Sequence, residues 1–196
     1  MKRKLIAALI LGVLVLPSLA AAQQAFSVKP LVEKKVTELP AGDLFWRIHT
    51  FDNKEQAQAA AGPLGLVAEY EGKVWLFELS RAGEASKGGT RVAEIGPLPR
   101  IEAPQYLLRI NEAGGPPGSV TSVHTHPGSE AFYVLAGELT QRTPQGVARV
   151  SAGQTLVGHA GDVPMEVSSS GSSELKEFAL FVVDGTKPFS SPAHLH

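Results

Sequence analysis

Apolar and polar residues along this chain fall into short alternating runs, separated by glycine, proline and small polar residues. That two-residue period is the signature of β-strands. Residues 44–51 (LFWRIHTF) are rich in aromatic and β-branched side chains and predict a strand, preceded by an N-terminal strand or arm around 31–39. Asp52 is placed to cap a short helix over 53–61, which Gly62-Pro63 ends. Strands are expected at 66–71 and 73–79, joined like a hairpin at Glu71-Gly72. A polar, glycine-rich loop over 81–90 leads to another at 91–95, and Gly96-Pro97-Leu98-Pro99 breaks it. Residues 105–111 alternate enough to form a strand, and Gly114-Gly115-Pro116-Pro117-Gly118 is the clearest break in the chain. Beyond it, strands are expected near 119–126, 130–142, 146–150, 155–158, 165–168 and 175–183. Many short strands with one weak helix predict an all-β sandwich or closed barrel, and the lack of crossover helices excludes a parallel α/β fold.

One strand is apolar on both faces: Ala131, Tyr133 and Leu135 alternate with Phe132, Val134 and Ala136. A sheet with one wet face would not require this. The outer face must therefore be covered, either by the N-terminal strands or by a second subunit, and a homodimer is one expectation. The parity of Tyr133 opposes that of Glu130, which keeps Tyr133 out of any pocket Glu130 faces.

The candidate chemistry lies in residues 118–137, GSVTSVHTHPGSEAFYVLAG. His124 and His126 are two apart, so in a strand both imidazoles point to one face. Glu130 would lie about 13 Å from His126 in a fully extended chain. Ligands to one metal each approach within roughly 2.0–2.2 Å, so Pro127-Gly128-Ser129 must reverse the chain. Two imidazoles and a carboxylate on one ion suit Fe(II) and other divalent transition metals.

With Gly118 and Gly137 this stretch resembles the first motif of the cupin family: glycine, five residues, His-x-His, three or four residues, Glu, six residues, glycine. Every fixed position matches. The resemblance implies a cupin-type jelly-roll β-barrel or sandwich with additional N-terminal strands and one short helix. His124, His126 and Glu130 would hold one divalent transition metal (Fe, Mn, Zn, Ni or Cu). Polar residues at the mouth of a metal-free barrel are the plainer alternative. The family's second motif is degenerate here. Gly153 and Gly161 fit, but His159 stands where its proline belongs, Pro164 where its metal-binding histidine belongs and Ser168 where its asparagine belongs. Met165 takes the histidine's place if one residue is inserted, and alternation then turns Met165 and Val167 inward; the plainer reading is core filling. His159 is the other candidate, as fourth ligand or as a pocket acid/base, against an ordinary surface histidine. Water is the third.

The ends and the composition narrow the setting. A basic start (Lys2, Arg3, Lys4), an apolar run over 5–16 and an alanine-rich site predict a secretory signal peptide over 1–22. The mature chain would then be soluble in the periplasm or medium, roughly 175 residues long, enough for one domain. Residues 23–113 are assigned to N-terminal strands extending the barrel, or to a degenerate cupin half, and 114–196 to the metal-binding cupin half. With no cysteine there are no disulfides or thiolate ligands. The net charge of −1 falls to about −4 without the leader, and Lys34-Lys35 sits among glutamates, so nucleic acid is excluded as a partner. His49 reads as a satisfied strand histidine, and His194 and His196 as a frayed tail. The leading functional expectation is a metal-dependent oxidoreductase, dioxygenase-like, acting on a small organic substrate, aromatic ones included. Two others stand beside it: a non-catalytic extracytoplasmic metal- or small-ligand-binding protein, and a metal-dependent isomerase or hydrolase. The last is disfavoured because no second acid/base is evident near the motif.

Overall fold

A computed structural model describes residues 25–84 and 88–195; the expected leader and His196 lie outside them. In chain order the elements are β1 (Ser27–Val36), β2 (Leu44–Phe51), α1 (Lys54–Ala60), β3 (Gly65–Tyr70), β4 (Lys73–Arg81), β5 (Thr90–Ile95) and β6 (Tyr106–Gly115). There follow β7 (His124–Thr125), β8 (Gly128–Ala136), β9 (Glu138–Thr143), β10 (Gly146–Ser151), β11 (Thr155–Val157), β12 (Glu166–Ser169), β13 (Leu175–Asp184) and β14 (Ser191–Pro192). The fold is all-β and antiparallel, with one short helix. Among the described residues no helix is long and apolar enough to cross a membrane.

A five-stranded sheet, in the order β1-β6-β13-β8-β11, forms one wall of the barrel. The three-stranded sheet β10-β9-β12 faces it, and Leu139 and Val167 from that sheet pack with Phe132, Val134, Ala179 and Phe181 from the larger one. Strand parity divides the larger sheet cleanly. In β13, Leu175, Ala179, Phe181 and Val183 point into the barrel, while Phe178, Leu180 and Val182 point outward. The outward face is covered by a separate four-stranded sheet, β3-β4-β2-β5, through Trp46, Ile48, Trp75 and Phe77. Ala131, Tyr133 and Leu135 of β8 belong to that layer. The doubly apolar strand is thus covered from within the chain and does not itself call for a second subunit.

Most expected strands are present, and the differences have local causes. The helix is capped by Asn53, not Asp52: its Oδ1 accepts a hydrogen bond from the Gln56 amide at 2.9 Å. The expected 130–142 strand splits into β8 and β9 at Gly137. There φ is 76°, and a Cβ would lie 2.6 Å from the Glu174 carbonyl oxygen. The expected 119–126 strand shrinks to β7 and two isolated bridges, Val120 to Ser168 and His124 to Met165. Strand β6, by contrast, runs on through Gly114 and Gly115, held on both sides by β1 and β13. At Glu71-Gly72 the turn is as expected, both residues at positive φ (49° and 72°), which suits the twist of a tight hairpin.

Candidate functional site

The barrel interior holds a cavity of about 330 Å³. Its walls are mostly apolar (Phe26, Phe132, Val167, Ala179, Phe181 and Phe189), and His124, His126 and Glu130 all reach it. The reversal between the histidines and Glu130 works through close approach. Gly128 opens β8 so near β13 that a Cβ there would lie 2.3 Å from the Val182 carbonyl oxygen. Glu130 then enters on the inward parity of β8, opposite Phe181.

Both imidazoles are oriented by main-chain carbonyls. His124 Nδ1 donates to the Ser122 oxygen at 2.7 Å, and His126 Nδ1 to the Phe189 oxygen at 2.6 Å. A proton on Nδ1 leaves the Nε2 lone pair of each ring available, the arrangement common behind metal-binding histidines. His126 is buried between Phe181 and Phe189, at centroid distances of 4.8 and 4.7 Å, and meets the His124 ring edge-on at 4.9 Å. Burial lowers the His126 pKa to about 4, with the Phe189 hydrogen bond opposing, so the ring is neutral. Burial, and then the charge of Glu177, push Glu130 well above the usual carboxylate range. His126 Nε2 and Glu130 Oε1 stand 4.0 Å apart, and burial disfavours the charged form of both groups, which weakens any ion pair between them.

The donor chemistry fits a metal: two imidazoles whose Nδ1 is tied to a main-chain carbonyl, with Nε2 left to face a ligand, and a buried carboxyl whose Oε2 has no partner. The arrangement is open, however. Among the described residues no set of three or more His, Asp or Glu side chains is closed into a metal-holding group.

The two weaker candidates lie elsewhere. Met165 is 1 % exposed, pairs its main chain with His124, and its sulfur accepts a hydrogen bond from Gln141 Nε2 at 3.5 Å; it does not line the cavity. His159 Nε2 is 3.3 Å from Thr143 Oγ1 and is also not part of the lining. His49 is buried in the N-terminal sheet, away from the cavity, with Nδ1 unpartnered rather than satisfied. The C-terminal segment is tied down as far as Ala193, short of His194: β14 pairs with β7, and the Ala193 amide donates to the Val123 oxygen at 3.1 Å. This lays Phe189 across His126. The Arg109 guanidinium stands over the outer ring, 4.2 Å from its centroid, and Arg109 Nε donates to Asn111 Oδ1 at 2.9 Å.

One residue of the cavity was not singled out by the strand pattern. Glu177, on the inward face of β13, is 1 % exposed and lines the same cavity. Burial raises its pKa to about 8. A lone acid on an otherwise apolar strand face (Leu175, Ala179, Phe181, Val183) was a legible signal. With it in place, the objection that proton-transfer chemistry lacks a second acid/base falls.

A family model described as "Cupin domain" matches residues 115–185. Comparison with curated proteins finds no significant match. Among solved structures the chain is similar to a DMSP lyase (18 % identity, TM-score 0.39, covering 44 % of each chain). It is similar to a cupin-like protein of Thermotoga maritima (15 %, TM-score 0.40, 45 % of this chain and 65 % of that one). A third is the polyketide cyclase RemF of Streptomyces resistomycificus (18 %, TM-score 0.38, 45 % and 62 %). Each match spans under two thirds of the other protein. Residues 115–185, from the end of β6 to the end of β13, are a cupin domain.

Proposed function

We propose that this is an exported cupin that holds one divalent transition metal through His124, His126 and Glu130 and acts as a dioxygenase-like oxidoreductase on a small organic molecule. The observation that carries the reading is the convergence on one apolar cavity of two imidazoles, each tied by Nδ1 to a main-chain carbonyl, and an unpartnered buried carboxyl. A metal bound there would supply electrons to O₂ and a template for an oxygen-donating substrate. The chain's own part is to hold and to exclude. The Ser122 and Phe189 carbonyls fix the imidazole tautomers, and Phe181 and Phe189 keep water from His126. Burial favours the protonated form of Glu130 whereas a ligand must be ionised, so metal uptake strengthens as pH rises.

Elemental analysis of protein purified without a metal-affinity tag tests the metal. Stoichiometric metal in the wild type and its loss in the His124→Ala/His126→Ala variant are expected; equal content in both would sink the assignment. An oxygen electrode run over enediols, diketones and phenols, with His126→Ala as control, tests the reaction.

A second reading, a non-catalytic small-ligand-binding protein, is favoured by the open spacing of the three donors. It predicts tight binding with no oxygen uptake for any compound. Export is tested by intact mass of the secreted protein, which should begin between Ala21 and Gln23.

A further inference from the structure

We propose that Glu177 is the recognition group of the cavity, hydrogen-bonding the hydroxyl of a neutral, flat, apolar ligand such as a phenol or naphthol. The proposal rests on the reading of this cavity as a small-ligand site and names the class of molecule it takes. Glu177 is buried among apolar side chains, and its Oε2 has no hydrogen-bond partner. An unsatisfied buried carboxyl oxygen is costly, and natural cores rarely keep one without use. Replacing it by an apolar residue would remove the penalty, yet the chain places it on the face of β13 that looks into the cavity.

Its position says what the partner spans. On β13, Phe181 pairs with Glu130, while Glu177 is two inward positions away and pairs with Val134. At the rise of an extended strand this separates the Glu177 and Glu130 levels by about 13 Å of backbone. A ligand touching both ends is therefore elongated, and Phe132, Phe181 and Ala179 give it flat apolar walls. The cavity volume, about 330 Å³, lies at the small end of ligand sites.

The charges around the cavity select a neutral ligand. Arg109 also lines it, which disfavours a cation, and the apolar walls penalise burying an anion. A hydroxyl serves the carboxyl in either protonation state: it donates to an ionised oxygen and both donates to and accepts from a protonated one.

The test uses metal-free protein throughout, so failure of metal uptake sinks the previous proposal without touching this one. 2-Naphthol and naphthalene, which differ by the hydroxyl alone, are titrated against wild type, Glu177→Leu and Glu177→Gln by fluorescence. Wild type should prefer naphthol by about tenfold, the size of one well-made hydrogen bond to a buried group. Glu177→Leu should bind the two alike, and Glu177→Gln, whose amide both donates and accepts, should keep part of the preference. Without ligand, Glu177→Leu should melt above wild type, because an unpaired carboxyl has been removed. Equal binding of the two probes by wild type, no binding of either, or a preference that survives in Glu177→Leu would overturn the proposal. So would a Glu177→Leu protein that melts below wild type or fails to fold, since Glu177 would then be a structural residue.

Discussion

Two adjacent residues of β13 look in opposite directions and show two kinds of interior. Phe178 faces the N-terminal sheet and packs against Tyr70, Trp75 and Phe77, at centroid distances of 5.2, 5.0 and 5.0 Å. Phe178 meets all three rings edge-on, a favoured geometry for such pairs, and Trp46 Nε1 is an unpartnered polar atom in an otherwise apolar layer. Glu177 faces the barrel, where His126, Asn111 and Glu130 are also buried and two carboxyl oxygens lack partners. The outer layer is optimised for burial; the barrel interior keeps polar groups that burial penalises. Stability and chemistry are thus separated by the two-residue alternation of a single sheet.

The sharpest way to break this comparison is to hollow out the outer layer. Phe178→Ala should cost roughly 3–5 kcal/mol, the usual range for a buried phenylalanine. Urea unfolding measures it, and a loss under about 1 kcal/mol would mean that the N-terminal sheet contributes little to the fold. Next in size is the inner face: His126→Ala should abolish metal retention yet cost less stability than Phe178→Ala. If it unfolds the protein more readily than Phe178→Ala, the inner face is structural after all.

The third test is pH. Burial raises Glu177 from 4.5 to about 8, so the folded protein keeps a proton that the unfolded chain has lost across that window. The associated stability is complete below pH 4.5 and is lost as pH rises toward 8. His126, lowered from 6.5 to about 4, acts oppositely: its contribution is complete above pH 6.5 and is lost as pH falls toward 4. Glu130, raised as well, sides with Glu177, while His124 and Arg109 face the same cavity in both proteins. In metal-free protein Glu177→Gln should therefore gain on wild type steadily from pH 5 to pH 8. A difference that stays flat over that range would remove Glu177 from the buried titrating set.

The smallest effect is expected at Phe189. Phe189→Ala keeps the carbonyl that accepts from His126 but removes the ring that shields it. The His126 pKa should rise from about 4 toward its ordinary value, which NMR titration of the imidazole reads. An unchanged value would mean that Phe181 alone excludes water.

The sequence by itself determined whatever depends on short spacings. His-x-His on one face, the turn before Glu130, the opposed parity of Tyr133 and the limits of β2 all follow from neighbours a few residues apart. The cupin motif is of the same kind: its five fixed residues lie within a span of twenty, 118–137. Tertiary structure decided what depends on register between distant strands. The four-stranded sheet, not a partner subunit, covers β8 because Trp46, Trp75 and Phe77 form an apolar layer of matching shape. Glu177 enters the cavity of Glu130 only through the pairing of β13 with β8, and the Phe189 carbonyl reaches His126 across 63 residues of chain. Met165 was ambiguous because inward parity does not distinguish a cavity wall from packed core. That distinction depends on what stands opposite, here Gln141 from β9.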